Sequence, residues 1–235
     1  MESIPYAEQI KALSKISKAI VSELYLEDIL KLIVTVTAEV MGSSICSLML
    51  LDDKTQKLVI RATQSVSEIY LKKAPLKIGE GIAGKVALEN KPKVIKDVTK
   101  EEEYRYKDIA KKEGLRSLLC VPLSVKGKVI GVLNCYTSKA HDFTSTEIDV
   151  LTSVANQAAA AIENTELMVK SRVIQEELES RKLIERAKGF LMKQEGLNEE
   201  EAYQKLRKFS MDHRKSMREI AEAIILARQL EDKKE

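Results

Sequence analysis

Residues 78–84 read Ile78-Gly79-Glu80-Gly81-Ile82-Ala83-Gly84, and the meaning given to this glycine run decides the fold. The glycines satisfy the spacing of a dinucleotide-binding loop. Such a loop needs a buried strand just before it and an acidic residue about 20 positions later in a strand–helix–strand unit. Here Ala74-Pro75-Leu76-Lys77 precedes the run, and no parallel-sheet pattern follows it. The simpler reading is a glycine turn feeding a short helix, Ile82 to Glu89, in which Gly84 permits close packing.

The flanking patterns agree with that choice. Two β-type runs, Ile45 to Leu51 and Leu58 to Thr63, are separated by the polar turn Asp52-Asp53-Lys54-Thr55. Two more, Leu118 to Val125 and Lys128 to Tyr136, flank Lys126-Gly127, a hairpin signal. The expected centre is therefore an antiparallel sheet. Ahead of it, residues 4–41 carry helical stripes: Ile10, Leu13, Ile16 and Ile20, then Ile29, Leu32, Ile33, Val36 and Val40. Behind it, Ser145 is the expected cap of a helix marked by Ile148, Leu151, Ala155, Ala158 and Ile162. Glycine and proline are absent from Phe143 to Lys188, so this helix is expected to run on through Val169, Val173, Ile174 and Leu178. Three helices fit the tail: Glu179 to Glu195, Asn198 to Asp212 with an Asn198–Glu201 capping box, and Ser216 to Leu230.

Composition narrows the function classes. No apolar run approaches the ~20 residues of a membrane span, and the longest, Val154 to Ile162, is interrupted by Asn156 and Gln157. The expectation is a chain with no membrane partner, no secretory signal and a cytoplasmic location. Three cysteines, Cys46, Cys120 and Cys135, show no CxxC spacing, and the two histidines, His141 and His213, lie outside the sheet. Neither zinc nor haem is expected, nor any other cofactor or metal. Net charge is +3; from Arg181 onward 14 Lys/Arg face 11 Asp/Glu, so the whole excess lies in the tail.

Over residues 5–165 the chain resembles a GAF domain. The resemblance is carried by Ile78 to Gly84 with Asn90-Lys91-Pro92 and Val94-Ile95-Lys96-Asp97-Val98, by Gly114 to Leu123, and by Val129-Ile130-Gly131-Val132-Leu133-Asn134. It implies a sensing fold, an antiparallel sheet flanked by helices, often with a small-molecule pocket on one sheet face. By fold analogy the pocket residues are Ser47, Met49, Tyr104, Tyr106, Ile109 and Arg116. Residues 166–180 are expected to form a connecting signalling helix, and the Ser145 to Glu179 helix to support a homodimer.

From Arg181 to about Leu226, within a tail domain of residues 181–235, the chain resembles an ANTAR domain, a small all-α unit of three helices. Its marks are Arg181, Ile184-Glu185-Arg186-Ala187-Lys188-Gly189-Phe190-Leu191-Met192, Glu201-Ala202-Tyr203, Leu206-Arg207, Ser210-Met211, Arg214-Lys215 and Glu219-Ile220-Ala221, with Met217 where leucine is usual. The resemblance implies binding to paired RNA stem-loops and prevention of a terminator hairpin. The RNA-binding residues it implies are Arg181, Lys188, Gly189, Arg207, Arg214 and Lys215. Helical phase alone puts Arg181 and Lys188 on one edge of the apolar stripe, where a cation meets phosphate or merely solvates the helix. The tail aromatics Tyr203, Phe190 and Phe209 fall on or near apolar stripes and are expected in the core. Two alternatives are a duplex-DNA-binding regulator and a GAF-type redox enzyme. Against the first, the last helix carries Glu219 and Glu222. Against the second, a two-residue turn at Lys126-Gly127 sets Cys120 opposite Leu133, with Cys135 diagonal at roughly 7 Å, too far for a comfortable disulfide. No catalytic residue is expected.

Overall fold

The computed structural model describes residues 14, 26–65 and 67–231. The first helical stripe, Ile10 to Ile20, lies outside the described residues apart from Ser14. The chain divides into two compact units between Glu166 and Leu167.

The first unit begins with α1 (Leu26–Met41), whose Ile29, Leu30, Ile33, Val36 and Val40 are buried. Next come β1 (Ile45–Leu51) and β2 (Lys57–Thr63), joined by a turn in which the Asp52 carboxylate accepts the Thr55 N–H and hydroxyl, each at 2.8 Å. A short helix α2 (Glu68–Leu71), strand β3 (Leu76–Lys77), helix α3 (Gly81–Glu89), strand β4 (Lys93–Ile95) and helix α4 (Lys107–Lys112) follow. The long hairpin β5 (Ser117–Val125) and β6 (Lys128–Thr137) completes a six-stranded antiparallel sheet of order β3-β2-β1-β6-β5-β4. The glycine run closes on itself rather than on a ligand. The Gly79 N–H donates to the Gly84 carbonyl (2.8 Å), and the Gly84 N–H donates to the Glu80 carbonyl (3.1 Å). A Cβ on Gly84 would stand 2.4 Å from the Lys77 carbonyl oxygen, so the close packing expected of this residue is present.

Both faces of the sheet are covered, which explains why its strands read as apolar runs rather than alternations. Cys46, Leu48 and Leu50 of β1, Leu119, Val121 and Leu123 of β5, and Leu133 and Cys135 of β6 pack on α1 and the first turns of the last long helix. The opposite-facing Met49, Leu58, Leu118, Cys120, Val132 and Tyr136 pack with α3 and the 97–116 connection.

Two local readings need correction. The hairpin turn is the expected one, with positive φ at Lys126 (51°) and Gly127 (82°), but the register slips between Leu123 and Ser124. Val125 and Ser124 pair with Lys128 and Val129, whereas Leu123 pairs with Gly131, so Ile130 is the extra residue of a bulge. Cys120 therefore faces Asn134, not Leu133, and Cys135 points to the other face, where it meets Cys46 with sulfurs 3.4 Å apart. The second correction concerns α5 (Ser145–Glu195), a single helix of 51 residues. Its cap is Thr144, one residue before the expected Ser145. The Thr144 hydroxyl accepts the Glu147 N–H (3.2 Å), and the Glu147 carboxylate accepts the Thr144 N–H (2.7 Å).

In the second unit the end of α5 joins α6 (Glu199–His213) and α7 (Met217–Glu231). The Asn198–Glu201 capping box forms as read, and Ser216 with Glu219 makes another ahead of α7. Ala187, Leu191, Ala202, Leu206, Ala221 and Ile225 form the small core.

Candidate functional sites

The first site lies on the α3 face of the sheet. Ser47 and Met49 from β1 and Tyr104 and Tyr106 from the segment before α4 line a cavity of about 20 Å³, together with Lys73, Asn134 and Tyr136. Four of the six residues expected of a pocket are thus brought together. Ile109 packs against the same core without lining the cavity, and Arg116 turns away to pair with Asp97 at 3.2 Å. The alternation of β1 and β6 sends Ser47 and Asn134 to this face. The Tyr70 hydroxyl donates to Ser47 Oγ (2.9 Å), Asn134 Nδ2 donates to the same oxygen (3.5 Å), and the Tyr104 hydroxyl donates to that of Tyr136 (3.2 Å). Asn134 is only 2% exposed, yet its Oδ1 has no donor. Burial raises Tyr70 and Tyr136 well above the ordinary phenol range and lifts Tyr104 and Tyr106 to about 12. It pulls the Lys73 ammonium down to about 7, against the opposing charge of Glu113. Lys73, Asn134 and Tyr136 were not singled out in the sequence. One signal was available for Asn134: it is a polar residue inside the apolar run Val132 to Tyr136.

The second site is on the tail helices. Arg181 is exposed and lines a groove of about 570 Å³ with Val173, Ser180, Ile184, Tyr203 and Arg218, and with the carboxylates of Glu176, Glu177 and Glu185. Tyr203 is 37% exposed, so it is not the core residue expected; Phe190 and Phe209 are half-buried. Arg218 donates to Glu222 at 3.0 Å. Lys188 departs furthest from expectation. Its side chain is not an open edge cation but only 6% exposed, with Nζ 3.0 Å from Glu185 and 2.8 Å from Glu199. The bonds to Glu199 and then Glu185 raise the lysine pKa and lower that of Glu199. The lysine thereby ties α5 to the first turn of α6. Gly189 sits mid-helix with nothing within 4 Å of where a Cβ would be. No neighbour in the domain requires glycine there, although it costs about 1 kcal/mol relative to alanine. Arg207 and Arg214 are exposed, Arg214 with positive φ (53°) at the end of α6, and Lys215 is exposed and paired with Glu219 at 3.0 Å.

Both units match known domain families: the GAF domain model matches residues 23–163, and the ANTAR domain model matches residues 172–225. The chain belongs to the GAF family and carries an ANTAR domain behind it. A solved GAF domain from a phosphoenolpyruvate-protein phosphotransferase of Coxiella burnetii is 26% identical. It covers 70% of this chain and 98% of its own length, with a TM-score of 0.63. The ANTAR end is similar to the nitrate regulatory protein of Klebsiella oxytoca, 47% identical over 57 residues, which are 24% of this chain and 14% of that protein. It is also similar to the transcriptional regulatory protein PdtaR of Mycobacterium tuberculosis, 32% identical over 77 residues, or 33% of this chain and 38% of that protein. The chain thus spans well under half the length of these two regulators. The GAF pocket and the ANTAR groove are its two candidate sites.

Proposed function

We propose that this is a non-enzymatic regulator of transcription elongation whose ANTAR domain binds paired RNA stem-loops and prevents terminator formation, under the control of a ligand held by the GAF domain. The observation that carries the reading is the tail groove, where Arg181 and Arg218 share one surface with the exposed ring of Tyr203. Single-stranded loop bases are read by stacking on aromatic or guanidinium planes together with phosphate contacts. Tyr203, Arg181 and Arg218 offer the planes, and the arginines offer the phosphate contacts at the part of the groove away from Glu176, Glu177 and Glu185. Arg207, Arg214, Lys215 and the bare backbone at Gly189 extend the RNA-facing set, while Lys188 shapes the surface through Glu185 and Glu199. The sensor spans residues 5–165, the connecting helix 166–180 and the RNA-binding domain 181–235.

Hairpin RNA titrations at several salt concentrations test it. Arg181→Ala is expected to weaken binding and reduce the log–log salt slope by about 0.7 to 1 without loss of helix signal. Lys188→Ala is expected to weaken binding together with a lower melting temperature, because Glu185 and Glu199 lose their shared cation. Unchanged affinity and slope in Arg181→Ala, or tighter binding of duplex DNA than of hairpin RNA, would overturn the reading.

The redox alternative has less support. All three cysteines are buried, and burial pushes the Cys46 and Cys120 thiols far above the range in which a reactive thiolate forms. Among the described residues no helix is long and apolar enough to cross a membrane, and a cytoplasmic location belongs to the same proposal, since nascent RNA is found there.

A homodimer through α5 belongs to the same proposal. Leu167, Met168, Val169, Val173, Ile174 and Leu178 are all at least half exposed, an apolar surface of the kind that a second helix covers. Sedimentation at micromolar concentration is expected to show a dimer; a monomer with and without RNA would exclude it.

A further inference from the structure

The Lys73 ammonium occupies an aromatic cage. Its nitrogen lies 3.6 Å from the centroid of the Tyr70 ring, 5.2 Å from that of Tyr136 and 5.3 Å from that of Tyr106. The rings stand edge to face: Tyr70 on Tyr136 at 6.3 Å and Tyr104 on Tyr136 at 6.4 Å. Among the described residues the ammonium makes no hydrogen bond or ion pair with an oxygen. Glu113 accepts instead from the Ser67 hydroxyl at 2.5 Å. In the same cavity Asn134 Oδ1 is an acceptor without a donor.

These features share one polarity. Aromatic faces are electron-rich and attract cations, and the open amide oxygen calls for an N–H. A carboxylate or phosphate would meet tyrosine faces and an amide oxygen; Lys73 favours it, while Arg105, the other cation lining the cavity, is already paired with Glu80 at 3.3 Å. A cavity of about 20 Å³ holds roughly one water, so nothing larger enters until the lysine leaves. It can leave: Lys73 lies in the short turn between α2 and β3 and is only partly buried. Because burial has drawn its ammonium pKa down to about 7, the charge is held more easily in water than in the cage, which favours withdrawal of the side chain.

We propose that the cage binds a small organic ammonium ion and that Lys73 is its built-in occupant, withdrawn when the ligand arrives; this rests on the reading of the cavity as the sensor's ligand site. The ligand's charge replaces that of Lys73 over the tyrosines, and its N–H donates to Asn134 Oδ1.

Calorimetric titration of the full chain with methylammonium, tetramethylammonium and acetate tests this. Both ammonium ions are expected to bind and acetate is not. Lys73→Met, which keeps the stem and removes the competing charge, is expected to tighten both ammonium ions about tenfold. Tyr106→Ala is expected to weaken both. Asn134→Leu is expected to weaken methylammonium alone, since tetramethylammonium has no N–H to donate. Ammonium binding that is unchanged or lost in Lys73→Met overturns the placeholder role. Acetate binding that disappears in Lys73→Met overturns the ligand class while leaving the cavity a ligand site. No binding of any of the three ions by either the wild type or Lys73→Met overturns the proposal and the reading of the cavity beneath it.

Discussion

Ala187→Glu is expected to unfold the ANTAR domain and leave the GAF domain folded. Ala187 is 0% exposed in a core built on Leu191, Ala202, Leu206, Ala221 and Ile225, with no cation placed to pair with a new carboxylate. The nearby Lys188 is already committed to Glu185 and Glu199. An unpaired buried carboxylate costs several kcal/mol, comparable with the entire stability of so small a core. Circular dichroism should lose the helix signal of the tail, and hairpin RNA binding should vanish with it. Hydrogen exchange in β1, β5 and β6 should remain slow. Retained tail helix in this variant would mean that the core is not closed as described.

Gly131→Ala is expected to be the most damaging single-methyl change in the GAF domain. An added Cβ would fall 2.2 Å from the Met49 carbonyl oxygen and 2.9 Å from a Leu50 methyl, at the junction of the central strands β1 and β6. The first of these is a backbone atom held by the ladder and cannot swing aside. Overpacking commonly costs 1–3 kcal/mol, and a clash against main chain in the middle of a sheet belongs at or above the top of that range, about 3 kcal/mol. Urea unfolding followed by a sheet-specific signal should show the loss. A midpoint shift equivalent to less than about 0.5 kcal/mol would show that the strands can part here without cost. Gly114→Ala separates the two effects, because nothing lies within 4 Å of its Cβ position and only the backbone strain of its φ of 66° remains.

The architecture was legible because the strongest sequence signals were also the structurally dominant ones. Apolar runs on both sides of Lys126-Gly127, a glycine turn outside any strand–helix–strand pattern, and the capping pair Asn198–Glu201 each determine local geometry with little help from tertiary context. Elements of two or three residues, β3 and β4, leave no periodicity to detect and depend on pairing with β2 and β5. The bulge at Leu123/Ser124 is marked in the sequence only by Pro122 and Gly131 beside it, a signal outweighed by the clean two-residue turn at Lys126-Gly127. That single insertion changed the face of every β6 residue beyond it and moved Cys135 from the side of Cys120 to the side of Cys46.

The sites were less legible than the fold. Helical phase placed Lys188 correctly at the edge of the apolar stripe, but phase cannot reveal that Glu199, eleven residues on and in another helix, folds over it. Tyr203 was assigned to the core by the same stripe logic, and the groove beside Arg181 leaves it open. In the GAF pocket, four residues were found by analogy, whereas Lys73 and Asn134 gain their meaning from the tyrosines gathered from α2, β6 and the segment ahead of α4. Such a cluster arises only from tertiary structure.

The sheet ends on β3 and β4, strands of two and three residues. A free strand edge is a template on which another chain can stack its own backbone, and the length of the unpaired ladder determines how firmly such a misassembly is held. Here the outermost strands offer only two or three residues of register, beside Lys77 or Lys93, and they cover only Lys57–Leu58 of β2 and Leu118–Cys120 of β5. Of the long apolar strands most able to nucleate fibrils, β1 and β6 lie between two strands, and β5 is flanked by β6 along its length and by β4 over Leu118–Cys120. Once the central hairpin has closed, stacking through the borders of the sheet is therefore expected to start at β2 or β5, where the covering strand is shortest relative to the strand it covers.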